Sequence, residues 1–252
     1  DLVRSRGLGD VYKRQIQLNN LNYYLMWLLN SSIGKKLIMS ISGLFLILFL
    51  VFHLCMNIAA VFSGEAYNVI CGLLGSNWYA LLGTLVLAAG VVVHFVYAII
   101  LTLQNRKARG NDRYAINARP KGVEWASQNM FVLGVIVILF MVLHFTQFWY
   151  NMMFAELAGI HGDIHPQDGA AFINFYFQGN VVNTVLYLIW FVALWFHLTH
   201  GFWSSMQSLG WNNKIWINRW KCISNIYSTI VVVCFALVVV VFFVKSLACG
   251  AC

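Results

Sequence analysis

Five long apolar runs divide the chain, at Leu37–Phe62, Tyr79–Leu103, Ser127–Trp149, Val181–Trp203 and Ile226–Leu247, and charged residues collect in the connections between them. An α-helix needs about 20 predominantly apolar residues to cross roughly 30 Å of hydrocarbon, and each run reaches that length. In lipid a single segment satisfies its backbone only as a helix. The pattern therefore predicts an all-α integral membrane protein with five transmembrane helices, formed by residues 31–252 as one domain behind an N-terminal segment, residues 1–30. Within that segment Asp1–Gln15 is polar and basic with no usable periodicity, and it reads as a tail or an appended, non-native stretch. The first run is long enough to span and lacks a small-residue cleavage site, so it is expected to stay in the membrane rather than act as a removable signal.

Composition agrees: 61% of the 252 residues are hydrophobic, 10% are charged and the mean hydropathy is +0.74, outside the range of soluble globular domains. Orientation follows from the cations, which stay on the cytoplasmic side of short loops. Lys35 and Lys36 precede the first run, Arg106, Lys107, Arg109, Arg113, Arg119 and Lys121 fill the second connection, and Lys214, Arg219 and Lys221 the fourth. The other face has Lys245 and the acidic Glu65, Glu156, Asp163 and Asp168. The N-terminus is thus expected in the cytoplasm and the C-terminus outside. The net charge of +8 is accounted for by this topology and by attraction to anionic lipid; no nucleic-acid partner is expected. None of the six cysteines opens a C-x-x-C-H haem-attachment motif, and the Cys249–Cys252 spacing reads as a tail rather than a redox centre.

His53, His94, His144 and His197 each lie in a different apolar run. Ionisable groups in lipid are costly enough to imply a function, and imidazole is a common axial ligand of haem iron. His53 and His144 come late in helices running outward; His94 and His197 come late in helices running inward. At 1.5 Å per residue this makes an outer and an inner layer of two histidines each, separated by roughly 10 Å or more. In an up-down four-helix bundle the first and third helices lie on one diagonal and the second and fourth on the other. His53 and His144 are then expected to hold one haem iron in the outer layer, and His94 and His197 another in the inner layer. The histidine-free, Val-rich fifth helix is expected on the outside. Zinc fits less well, since it prefers four convergent ligands, and the five runs contain no carboxylate of the kind an ion-coupled transporter uses. Each histidine alone could equally make an interhelical hydrogen bond; four in two matched layers favour metal.

An internal similarity aligns Gly43 through His53 with Gly134 through His144 without gaps, both placing Gly ten residues before His. Ten residues make nearly three turns, so Gly43 and Gly134 are candidates to let a macrocycle or another helix approach the backbone. Chance matching of apolar alphabets is the alternative.

Ser32-Ile33-Gly34-Lys35-Lys36, Ser42-Gly43-Leu44, His53-Leu54 with Asn57, and Phe196-His197-Leu198-Thr199-His200-Gly201-Phe202-Trp203-Ser204 resemble the di-haem cytochrome b membrane anchor of succinate dehydrogenase and fumarate reductase, in its single-chain, five-helix form. The likeness runs from about Ser31 to Leu247. It implies two haem b groups, docking of a flavoprotein subunit and an iron–sulfur subunit on the cytoplasmic face, electron exchange with a membrane quinone (menaquinone being the expected type), and residence in the bacterial inner membrane. The family ligand lies four residues before a glycine, which His197 satisfies with Gly201; His200 is left as a supporting group near a propionate or a quinone. Some members carry a glutamate two residues before that ligand for a transmembrane proton path. Here the position is Trp195, and that path loses its residue.

Two imidazoles leave iron no open position, so electron transfer is the expected task, with no dicarboxylate chemistry in this chain itself. Arg106, Lys107 and Lys214 are candidate partners for inner-haem propionates; Lys245, His161 and His165 are the corresponding outer candidates. Glu65, Glu156, Asp163, His161 and His165 are either proton-exchanging groups near a quinone or solvated loop residues. Trp78, Tyr79, Trp149, Tyr150, Trp203, Trp211 and Trp216 fall near run ends as interfacial belts. A cytochrome b anchor of a hydrogenase or formate dehydrogenase shares the haems but not the partners, and a haem-free transporter or structural protein would use the histidines only to pair helices.

Overall fold

A computed structural model describes Tyr24 and residues 26–109, 124–160 and 162–249, with the side chains of 109 and 246–249 excepted. Asp1–Gln15, Arg113, Arg119, Lys121, His161 and Cys252 lie outside the described residues. Among those described, all regular structure is helical: α1 (Ser32–Phe62), α2 (Gly64–Leu73), α3 (Trp78–Arg109), α4 (Trp125–Gln128), α5 (Met130–His144), a π-helical segment (Phe145–Phe154), α6 (Ala155–Ala158), α7 (Gly169–Phe177), α8 (Val181–Ser208) and α9 (Trp216–Cys249).

Five of these stretches are long and apolar enough to cross a membrane: Ser32–Phe62, Trp78–Ala108, Met130–Ala158, Val181–Ser208 and Trp216–Lys245. They overrun most ends of the apolar runs, because a helix continues through polar residues wherever its terminal groups find partners. Ser31 starts α1 by accepting from the Gly34 amide at 2.9 Å. Ser63 both ends α1 and caps α2, accepting from the Ala66 amide at 3.2 Å.

The third span departs from the apolar pattern at its C-terminal end, running on to Ala158 where that pattern stops at Trp149. Its π segment loosens the backbone ladder, and Asn151 Nδ2 donates to the carbonyls of Thr146 and Gln147, both at 2.9 Å. Glu156, expected in a loop, is therefore in the last turn of a spanning helix, and the expectation of carboxylate-free spans is corrected to that extent. The connections carrying Glu65 and Asp168 are also helical, as α2 and α7. Asp168 caps α7 through the Ala171 amide at 3.0 Å and accepts from Asn68 of α2 at 2.8 Å, so the two short helices are tied together.

Packing centres on α8. Tyr187, Phe191, Leu194 and Leu198 of α8 are buried with Val231, Phe235, Val238, Val239 and Phe242 of α9 and Ile47 of α1. The α8–α9 contact is the most extensive helix pair; Ser224 and Ser228, fully buried, let the backbones approach, as small residues do between membrane helices. Ser224 Oγ donates to the Thr199 carbonyl at 2.5 Å, and Tyr227 OH to the Ile47 carbonyl at 2.9 Å. The fifth span therefore covers the α1–α8 seam. The four histidine-bearing helices follow the order α3, α1, α8, α5, with broad packing at each step. Between α3 and α5 the contacts are local: Thr84 donates to Met153 Sδ at 3.4 Å, and Arg106 lies 5.8 Å over the Phe131 ring.

Candidate metal centres

The helix order sets the histidines facing one another in pairs. His53 of α1 and His144 of α5 have ring centroids 5.8 Å apart with planes at 89°. His94 of α3 and His197 of α8 have centroids 6.4 Å apart at 69°. A metal–imidazole bond of about 2 Å on each side, plus about 1 Å from nitrogen to ring centre, brings the centroids of two trans imidazoles to about 6 Å. The centroid separations of both pairs lie near that value. All four rings are half-buried rather than sealed.

Two glycines measure the spacing of the layers. A Cβ on Gly43 would lie 3.2 Å from His94 Cε1, and one on Gly134 would lie 3.8 Å from His197 Cε1. Each glycine is ten residues from the histidine of its own helix, so the layers are about 15 Å apart along the bundle. Gly43 and Gly134 do leave room on the backbone, but for the imidazole of the adjacent helix, at the other layer from the histidine they precede.

The ring nitrogens are anchored unequally. His94 Nδ1 lies 3.3 Å from Ser42 Oγ, whose proton goes to the Met39 carbonyl at 3.0 Å. With its proton so directed, the hydroxyl offers His94 Nδ1 a lone pair, an arrangement that favours the tautomer with the proton on Nδ1. His144 Nδ1 lies 3.4 Å from Tyr187 OH. His197 Nδ1 is buried with no hydrogen-bond partner, and the His53 ring makes none among the described residues.

The walls also differ. Around His53 and His144 stand Phe49, Phe235, Phe148 and Trp190, at centroid distances of 5.4, 5.7, 5.1 and 5.8 Å. His94 and His197 have Gly43, Gly134 and Ser42 instead.

His200, one turn after His197, faces away from the pair. Its Nδ1 is 3.7 Å from Glu124 Oε2, within ion-pair range but too far for a hydrogen bond, and its ring meets Trp203 edge-on at 5.0 Å. Glu124, just before α4, accepts from Trp203 Nε1 at 3.2 Å and pairs with Lys221 at 2.8 Å. Burial alone would push the Glu124 carboxyl up, but Lys221, then Trp203 and His200, outweigh it and hold it below the ordinary carboxylate range. Sequence reasoning passed over Glu124 and read Lys221 only as a topology-setting cation; a lone carboxylate at the start of an apolar run was the available signal.

Three further candidates have structural partners. Lys245 lies 5.1 Å over the Phe242 ring, His165 accepts from the Gln167 amide at 3.3 Å, and Glu156 accepts from Gln167 Nε2 at 2.6 Å. Trp195 donates to Thr229 at 3.0 Å, tying α8 to α9. No cluster of three or more His, Cys, Asp or Glu exists among the described residues. The histidines therefore stand as pairs, fewer donors than the four that a closed zinc site uses. No protein-family model, no curated protein and no solved structure matches the chain.

Proposed function

We propose that this chain is a di-haem cytochrome b anchor that passes electrons between a cytoplasmic flavin and iron–sulfur assembly and membrane quinone, as a subunit of a succinate:quinone oxidoreductase. The observation that carries the reading is the pair of diagonal imidazole couples, each at trans-ligand distance, about 15 Å apart along one bundle. His53 and His144 would hold one haem b, and His94 and His197 the other. When bound, each haem supplies a one-electron centre with no vacant position for oxygen.

The chain's own residues supply position and insulation. Ser42 fixes the proton of His94; the aromatic wall packs against the rings of His53 and His144; the α1–α8–α9 core holds the helix spacing. Lys35, Lys36, Arg106, Lys107, Lys214, Arg219 and Lys221 lie at one end of the bundle, which supports a cytoplasmic N-terminus in a bacterial inner membrane and a docking face there for the partner subunits.

A reduced-minus-oxidised spectrum with a redox titration tests the reading. Two b-type components are expected; a colourless preparation from haem-replete cells defeats it. Co-purification of a covalently flavinylated large subunit is expected, and a hydrogenase or formate dehydrogenase subunit in its place would reassign the anchor while keeping the haems.

A further inference from the structure

Gln147, which interrupts the third apolar run, belongs to a part-buried chain of hydrogen bonds with a fixed direction. The hydrogen-bond chain starts at the Tyr176 carbonyl, one of the last in α7 and so without an intrahelical donor. Asn183 Nδ2 donates to it at 3.1 Å. A carbonyl only accepts, so the amide nitrogen of Asn183 must face it, and Asn183 Oδ1 points the other way. Gln147 Nε2 donates to that oxygen at 2.9 Å, which turns Gln147 Oε1 toward Tyr187. The single phenolic proton of Tyr187 goes to Gln147 Oε1 at 2.7 Å. What Tyr187 offers His144 Nδ1, 3.4 Å away, is a lone pair.

We propose that this relay, from the Tyr176 carbonyl through Asn183, Gln147 and Tyr187, holds His144 with its proton on Nδ1 and so keeps Nε2 free as the metal-binding nitrogen. Tyr187 and Asn183 are 3% and 6% exposed, and Gln147 between them is half-buried. Outer partners of this kind set the tautomer and orientation of ligating histidines, and their loss typically costs about 10- to 100-fold in affinity. Gln147 and Asn183 are positioning residues: neither touches the pair, and both act through Tyr187.

The inference rests on the haem reading for what Nε2 grips, and its test is separate. Gln147→Leu removes the acceptor of the Tyr187 proton. That proton then has only His144 Nδ1 to bond, which drives the ring proton onto Nε2, in competition with iron. In the purified complex, haem loss to an excess of apomyoglobin is expected to become about 10-fold easier for one of the two components, with loss of its low-spin signal, while the other component is unchanged. Adding Tyr187→Phe removes the misplaced donor and is expected to restore part of the retention, so the double variant holds haem better than the single one. Gln147→Glu, protonated in this apolar setting, still donates to Asn183 and accepts from Tyr187, and is expected to retain both haems.

Unchanged retention in Gln147→Leu overturns the relay, as does a double variant no better than the single, or equal losses in Gln147→Leu and Gln147→Glu. A parent protein without haem absorption defeats the anchor reading instead.

Discussion

The two histidine layers share ligand type and spacing but are built from opposite materials. His53 and His144 sit among aromatic rings, with Tyr187 at the only polar contact to either imidazole among the described residues. His94 and His197 are approached by glycine backbone and a serine hydroxyl, and the Glu124–Lys221–His200 group lies one turn beyond. Bulky walls hold a ring by shape; small residues hold it by leaving room for little else. One layer is therefore vulnerable to truncation, the other to enlargement.

The largest expected effect comes from removing ligands. His144→Ala should abolish one b-type component and leave the other, and His94→Ala the reverse, as read by redox titration of the difference spectrum. If His94→Ala removed both components equally while His53→Ala removed neither, the two layers would not be separate sites.

Next comes Gly43→Val. With His94 Cε1 only 3.2 Å from the first added carbon, the imidazole must shift, at about 1–3 kcal/mol. Spectroscopy should show loss or shift of the His94–His197 component alone. Gly134→Ala, with 3.8 Å to His197, should leave that component in place, and equal damage from Gly134→Ala would refute the difference in room.

Phe235→Ala probes the opposite wall. It opens a void beside His53 and should cost about 2 kcal/mol, because in lipid only the packing part of the usual aromatic-to-alanine loss remains. The midpoint potential of the His53–His144 component should move while the other stays. A shift in both would show that α9 supports the whole bundle rather than one layer.

The smallest effect is that of pH. The Glu124 carboxyl is held below its ordinary value by Lys221, Trp203 and His200 against its own burial, so its folded-state value lies under the unfolded one. Its contribution to stability is then present above the unfolded value of about 4.3 and is lost as pH falls through the lowered folded value. Glu124→Gln should flatten the acid limb of thermal stability in detergent by a small margin, the carboxyl being partly exposed. An identical acid limb in parent and variant would remove Glu124 from the account.

The five spans were legible because lipid imposes one requirement, length of apolar sequence, on every crossing segment. The histidine pairs were legible too: alternating helix direction converts position in the chain into depth. The third span's continuation to Ala158 was hidden because the π segment uses Gln147 and Asn151 to bond its own carbonyls and neighbours, and such polar residues look like a helix end when only hydropathy is counted. The helical α2 and α7 were hidden for a related reason, since the link between Asn68 and Asp168 joins residues far apart in sequence. The role of Gly43 and Gly134 was half visible: closeness to a backbone could be foreseen, but not that the visitor would be the neighbouring helix's imidazole.

The interval between Gly43 and His53 acts as a screw thread. Ten residues advance about 15 Å and fall about 80° short of three full revolutions, so depth and azimuth change together: α1 points its histidine across to α5 at one depth and its glycine sideways to α3 at the other. A one-residue insertion within this stretch would rotate everything beyond it by about 100°, so α1 could no longer address both partners at once.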